Sequence, residues 1–123
     1  MSTLNTYIVF RGDDLWAIGG TPGGDTQIET NLQVITQMID HGRNAQQAIE
    51  SPKWHVAEDG PGLTIEERLP LDTCYELRTL GHQLNIEGAW SAPCASQCIM
   101  VDEETGSLFG ATDPRIDGLA LGY

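Results

Sequence analysis

The sequence is short of positive charge. Six Lys and Arg stand against 18 Asp and Glu, a net charge of -12 over 123 residues. Such a chain repels phosphate backbones and anionic lipid headgroups, so neither nucleic acid nor a membrane surface is expected as a partner. Long hydrophobic runs are also missing, and no stretch approaches the roughly 20 apolar residues of a membrane-spanning helix. With 40% hydrophobic and 20% charged residues, a water-soluble globular chain is expected, its acidity a solvated surface. The start, "MSTLNTYIVF", has no basic region ahead of an apolar run and no small-residue cleavage site. The cytoplasm is therefore the expected location, with the periplasm or exterior kept for a longer secreted precursor. Cysteine is scarce as well. Cys74, Cys94 and Cys98 cannot all pair within one chain, and "CASQC" is neither a redox C-x-x-C nor half of a paired zinc site, so free buried thiols are expected. No internal repeat or low-complexity tract interrupts the chain, and its length suits a single domain over residues 1–123.

What is present reads as short strands and three helices. "NTYIVF" and "LWAIGG" are rich in aromatic and branched residues and flank the turn-forming "RGDD", which makes Asp13 and Asp14 turn residues and predicts a hairpin. Ile28, Leu32, Ile35 and Ile39, widened by Val34 and Met38, recur at helical spacing and predict a helix with that stripe in the core. Thr26 with Glu29 has the pattern of a capping box, and Gly42 stands where a left-handed C-terminal residue is expected. Asn44 with Gln47 opens a second, short helix that Pro52 stops. "KWHVAEDGPGLTIEERL" alternates around "DGPG" as another hairpin. "PLDTCYELRTLGH" reads as a third helix with Leu71, Cys74, Leu77 and Leu80 on one buried face, and "QLNIEG", "SQCIMVD" and "SLFGATD" as short strands. This order predicts an α+β architecture with helices packed on sheet. His41 falls near a helix C-terminus, where the dipole favours a protonated imidazole, and needs no catalytic role; His55 and His82 have no partner at a recognisable spacing, and Trp16, Trp54 and Trp90 are expected in the core or at an interface.

Chemistry is most legible in "GGTPGG", residues 19 to 24. Free backbone N–H groups at a helix N-terminus bind anions, but no Gly-Lys-Ser/Thr follows, Pro22 has no N–H, and Asp25 puts a negative charge beside any phosphate. Two successive glycine amides instead suit a developing alkoxide, as an oxyanion hole in acyl transfer.

"GGTPGGDTQIETNLQVITQMIDHGRNAQQAIESPKWH" resembles the C-terminal part of the small subunit of the gamma-glutamyltranspeptidase family, in which a G-[ST]-P-G-G loop leads into a helix. "GSLFGATDPRIDGLALGY" resembles the family's closing segment, and the two motifs bracket nearly the whole chain. The resemblance implies part of an N-terminal-nucleophile hydrolase αββα sandwich, with helices packed on mainly antiparallel sheet. It also implies a self-cleaving enzyme whose exposed threonine attacks a gamma-glutamyl or related amide. The family's oxyanion glycines fall on Gly23 and Gly24, and its hydroxyls for the substrate carboxylate fall on Ser2 and Thr3. "TLNTYIV" is similar to a T-L-N-P stretch of one branch, with Thr6 in place of the proline. The nucleophilic threonine and the large-subunit arginine would lie before Met1. A missing N-terminal portion or large subunit is thus the implied partner, and the chain alone is expected to be inert, with apolar faces exposed and a tendency to self-associate. No metal or organic cofactor is implied. Two other readings compete. In one, removal of Met1 exposes Ser2 as an N-terminal nucleophile; in the other, the chain is a non-catalytic binding or assembly module. Asp113 and Arg115 in "DPR" are expected to form an ion pair anchoring the C-terminal tail.

Overall fold

The computed structural model describes residues 4–57 and 60–122. Strands β1 (Leu4–Arg11) and β2 (Asp14–Pro22) form the expected hairpin, antiparallel from Leu4 opposite Pro22 to Arg11 opposite Asp14. A 3-10 turn (Gly24–Thr26) leads into helix α1 (Gln27–Ile39), which is followed by α2 (Ala45–Glu50). Next come β3 (Trp54–Val56), β4 (Leu63–Glu66), α3 (Leu71–Thr79) and β5 (Leu84–Glu87), then β6 (Gln97–Val101) and β7 (Leu108–Thr112). The chain divides into two compact units, Met1–Ser51 with Cys94–Tyr123, and Pro52–Pro93.

The first unit is built on an antiparallel sheet of order β1-β2-β6-β7. Successive side chains in a strand point to opposite faces. The cross-strand rows Tyr7, Gly19, Cys98, Ala111 and Val9, Ala17, Met100, Phe109 therefore share one face. Most of them, with Trp16, pack against Val34 and Met38 of α1 and Ala45, Ala48 and Ile49 of α2. The alanines on both sides let α2 approach the strands closely. None of the three cysteines is in a disulfide and all are buried, as expected. The opposite face carries Leu4, Ile8, Ile18, Ile99 and Leu108, all exposed.

Helix α1 departs from the expected orientation. Part of its predicted stripe is in place, since Val34 and Met38 are buried and Ile35 packs against the core, but Ile28, Leu32 and Ile39 are exposed, and Thr30 and Asn31 are buried beside Val34 and Met38. At about 100° per residue, the exposed and buried sets lie roughly a third of a turn apart. The rotation is fixed by Asn31, whose side-chain amide donates to the carbonyl and side-chain oxygen of Asn5 on β1, at 3.2 and 2.9 Å. The capping box is also absent. Thr26 is itself helical, at φ -84 and ψ -3, and its hydroxyl donates to the Gly23 carbonyl rather than accepting from α1. At the second helix the sequence reading holds: the Asn44 side chain accepts from the Gln47 N–H at 2.9 Å, and the Gln47 side chain accepts from the Asn44 N–H at 3.2 Å. Gly42 is left-handed, at φ 62.

In the second unit, β3 and β4 form the expected hairpin, and α3 connects β4 to β5, which runs parallel to it. Of the predicted α3 face only Cys74 is buried, while Leu71 and Leu80 are exposed. Repeated i+3 steps drift by about 60° each, so residues nine apart end on opposite sides of a helix. Buried Glu66 accepts from the backbone N–H groups of Lys53 and Ala92, both at 3.2 Å, and from the Arg68 guanidinium at 2.7 Å. That guanidinium stacks on Trp90, 3.4 Å from the ring centroid. The stack leaves Trp90 exposed, whereas Trp16 is in the core.

Candidate functional site

Strand β2 ends in Gly19, Gly20, Thr21 and Pro22 and delivers the chain to two glycines with backbones that other residues rarely adopt. Gly23 has φ 140 and ψ 23, and Gly24 has φ 60. Both are exposed. They stand at the mouth of the turn into α1, where the first N–H groups of a helix have no partner within it and the helix dipole is positive. Thr21 and Thr26, either side of them, are buried. The Thr21 hydroxyl donates to the Pro22 carbonyl at 2.7 Å and accepts from the Ala95 N–H at 3.1 Å. The Thr26 hydroxyl and N–H both donate to the Gly23 carbonyl, at 3.1 and 3.4 Å. Below the loop, on the exposed sheet face, lies a hollow of about 380 Å³ lined by Leu4, Thr6, Ile18, Gly20, Pro22 and Gln97 among others.

Behind the loop is a buried polar knot. The Asp113 carboxylate accepts from the backbone N–H groups of Ser96 and Arg115, at 3.1 and 3.0 Å, and from the Cys94 thiol at 3.5 Å. It also pairs with the Arg115 guanidinium at 2.9 Å, the two side chains being 0% and 1% exposed. Arg115 in turn donates to the carbonyls of Ile49 and Ser51 at the end of α2, both at 3.1 Å. From the same helix, the Gln46 side chain donates to the Thr112 carbonyl at 3.0 Å and accepts from its N–H at 3.1 Å, acting as an extra strand beside β7. The expected ion pair is present, and it ties the "DPR" turn both to α2 and to the segment that holds Thr21.

Inside the sheet, burial pushes the Tyr7 phenol above its ordinary value, and the adjacent Cys98 pushes it further. The Cys98 thiol is raised too, by burial, which the hydrogen bond to Tyr7 only partly offsets. Gly19 is needed because a Cβ there would strike the Tyr7 ring and hydroxyl. Both groups stay protonated at neutral pH. With folded values above the unfolded ones, their contribution to stability is complete below the ordinary Cys value of 9.0 and is lost as pH rises beyond it. Thermal melts are expected to show Tm falling above about pH 9, less steeply in Tyr7→Phe. A Tm that stays level from about pH 9 to 11 would contradict this.

Of the residues singled out in the sequence, Gly23 and Gly24 are adjacent and exposed at the helix mouth, while Ser2 and Thr3 lie outside the described residues. The sequence reading gave Thr21 no role and took Thr26 for a helix cap; the signal for their place here is their position either side of the glycine pair. Among the described residues, no group of three or more His, Cys, Asp or Glu is placed to hold a metal ion. No helix there is long and apolar enough to cross a membrane.

An antiparallel sheet with helices on one face and a glycine pair at a strand-to-helix junction has close counterparts. The chain superposes on a mutant of the Helicobacter pylori gamma-glutamyltranspeptidase with a TM-score of 0.82 and 28% identity, covering 94% of this chain and 62% of that one. The fold is that of the N-terminal-nucleophile hydrolases, α+β with antiparallel sheet, as the sequence resemblance implied. Residues 1–123 match the family model described as Gamma-glutamyltranspeptidase, and the chain belongs to that family. It is 38% identical to the "Glutathione hydrolase-like YwrD proenzyme" of Bacillus subtilis (strain 168) and 31% identical to the "Oxamate amidohydrolase proenzyme" of Klebsiella pneumoniae subsp. pneumoniae. Each alignment covers 98% of this chain and 24% of the relative, so the chain spans about a quarter of the length of these curated relatives.

Proposed function

We infer that this chain supplies the oxyanion-stabilising part of an acyltransferase or hydrolase site for gamma-glutamyl or related amides, with the nucleophile coming from another portion of the enzyme. Attack on an amide carbonyl turns its oxygen into an alkoxide, and fixed N–H donors aimed at that oxygen lower the barrier. Loss of one such donor typically costs about 10²- to 10³-fold in rate. The observation that carries the reading is the exposed Gly23–Gly24 pair, with left-handed backbones that present consecutive peptides at the positive end of α1. The backbone rather than space calls for glycine here: a Cβ on Gly24 would meet nothing within 4 Å, but both φ values are positive. In this reading Ser2 and Thr3 offer hydroxyls to the substrate carboxylate.

The uncovered apolar surfaces support a partner of the same enzyme. One is the sheet face of Leu4, Ile8, Ile18, Ile99 and Leu108; the other is the α1 stripe of Ile28, Leu32 and Ile39. Each such side chain gains roughly 1.5 to 3 kcal/mol on full burial. The relatives' printed names point to glutathione in one case and oxamate in another, which leaves the amide class as the shared chemistry.

The test is release of a chromogenic amine from a gamma-glutamyl anilide by the purified 123-residue chain, with Ser2→Ala beside it. Neither is expected to release amine. Release that disappears in Ser2→Ala would make Ser2 the nucleophile and overturn the assignment.

A further inference from the structure

We propose that Thr21 and Thr26 are positioning residues that aim the two glycine amides, each by holding the carbonyl on the far side of the same peptide plane. The proposal rests on the oxyanion reading of Gly23 and Gly24 given above. A trans peptide is planar, so the C=O of one residue and the N–H of the next point in opposite directions and turn together. The Pro22–Gly23 plane carries the Gly23 N–H, and its carbonyl is held by the Thr21 hydroxyl at 2.7 Å. The Gly23–Gly24 plane carries the Gly24 N–H, and its carbonyl is held by the Thr26 hydroxyl at 3.1 Å and the Thr26 N–H at 3.4 Å. One hydroxyl serves each plane.

Glycine backbones have the widest choice of conformations, so a peptide plane that borders a glycine, as both of these do, swings easily unless something outside it stops the motion. Oxyanion donors work by being aimed before the charge appears, since a donor that must turn during the reaction gives back part of its effect. Thr21 and Thr26 are 2% and 9% exposed while the glycines between them are open to solvent. The hydroxyls are thus committed to the backbone rather than offered to a ligand. Thr21 is also fixed from behind. Its oxygen accepts the Ala95 N–H at 3.1 Å, which leaves its proton for Pro22. The neighbouring Ser96 N–H is held by the buried Asp113 carboxylate at 3.1 Å. Hydrogen bonds joined through the Ala95–Ser96 backbone therefore connect the Asp113–Arg115 pair to the plane of the Gly23 amide.

The test is the N–H residual dipolar couplings of Gly23 and Gly24 in the isotopically labelled chain, which report the direction of each N–H vector. Thr21→Val is expected to change the Gly23 coupling and leave Gly24 as it was. Thr26→Val is expected to do the reverse, and Thr→Ser at either position to restore the native couplings. General loosening of the loop does not produce that crossed pattern. In the chain assembled with the nucleophile-bearing portion, each Val variant is expected to lower kcat about 10- to 100-fold with KM little changed. Unchanged couplings in both Val variants, or Ser variants as damaging as Val, would overturn the proposal. The unsubstituted chain gives a check that needs no variant: both N–H groups should have order parameters near about 0.85, and values below about 0.6 would sink the clamp. An assembled enzyme with no amidase activity at all would defeat the proposed function, and the couplings would still decide whether the threonines aim these amides.

Discussion

Replacing Asp113 by Asn is expected to lower Tm by about 10 °C or more, through a loss of about 3 to 5 kcal/mol. The side chain is fully buried and is the common acceptor for Ser96, Cys94 and Arg115. An amide of the same shape leaves the Arg115 guanidinium charged and without its counter-ion inside the protein, which costs far more than losing a surface pair. Removing both charges together, as Asp113→Asn with Arg115→Met, is expected to recover part of the loss. Thermal melts followed by circular dichroism decide the matter: a Tm within about 2 °C of the unsubstituted chain would mean that the pair does not anchor this end of the fold.

Ile18→Asp is expected to have its large effect elsewhere, on assembly. Ile18 is exposed in the middle of the row Ile8, Ile18, Ile99, so the charge is tolerated while that face meets water. Covering the face with another portion of the enzyme would strip the carboxylate of solvent without offering a partner, at a cost of several kcal/mol. At about 1.4 kcal/mol per tenfold, association should weaken by more than 100-fold, while the Tm of the chain itself hardly moves. Titration calorimetry with the nucleophile-bearing portion measures this, and equal affinity for both forms would mean that the sheet face is not the contact.

Local chemistry was the legible part of the fold. "RGDD" between two β-prone runs, Asn44 with Gln47, and Gly42 past the end of α1 each fix their own neighbourhood, and the hairpin, the cap and the left-handed glycine appear as read, with Asp14 already the first residue of β2. The direction a helix faces was not legible. The α1 apolar stripe was wide enough to allow several orientations; Val34 and Met38 at its edge meet the sheet, beside a polar contact from Asn31 to Asn5, while Ile28, Leu32 and Ile39 stay outside. On α3 the i+3 spacing of Leu71 to Leu80 misled because it drifts around the helix. The parallel pairing of β4 with β5 joins strands separated by α3, a long-range contact that no local pattern specifies.

At the site, the same division holds. Consecutive glycines announced an unusual backbone, and "DPR" announced an ion pair. The depth of that pair, and its reach to the Ile49 and Ser51 carbonyls, depend on where α2 lies. Thr26 looked like a helix cap because its hydroxyl was read as an acceptor. Folded, it is a donor to Gly23, and only the backbone angles distinguish the two roles.

The most direct measurement is kcat for amine release from a gamma-glutamyl anilide by the chain assembled with the nucleophile-bearing portion, for the unsubstituted sequence and for Gly23→Ala. A side chain is not tolerated at φ 140, so alanine must turn the Gly23 backbone and with it both amides. Release by the unsubstituted assembly is expected, with a kcat about 10²- to 10³-fold lower in the variant and KM little changed. Equal kcat for the two would contradict it and remove Gly23 and Gly24 from the reacting centre.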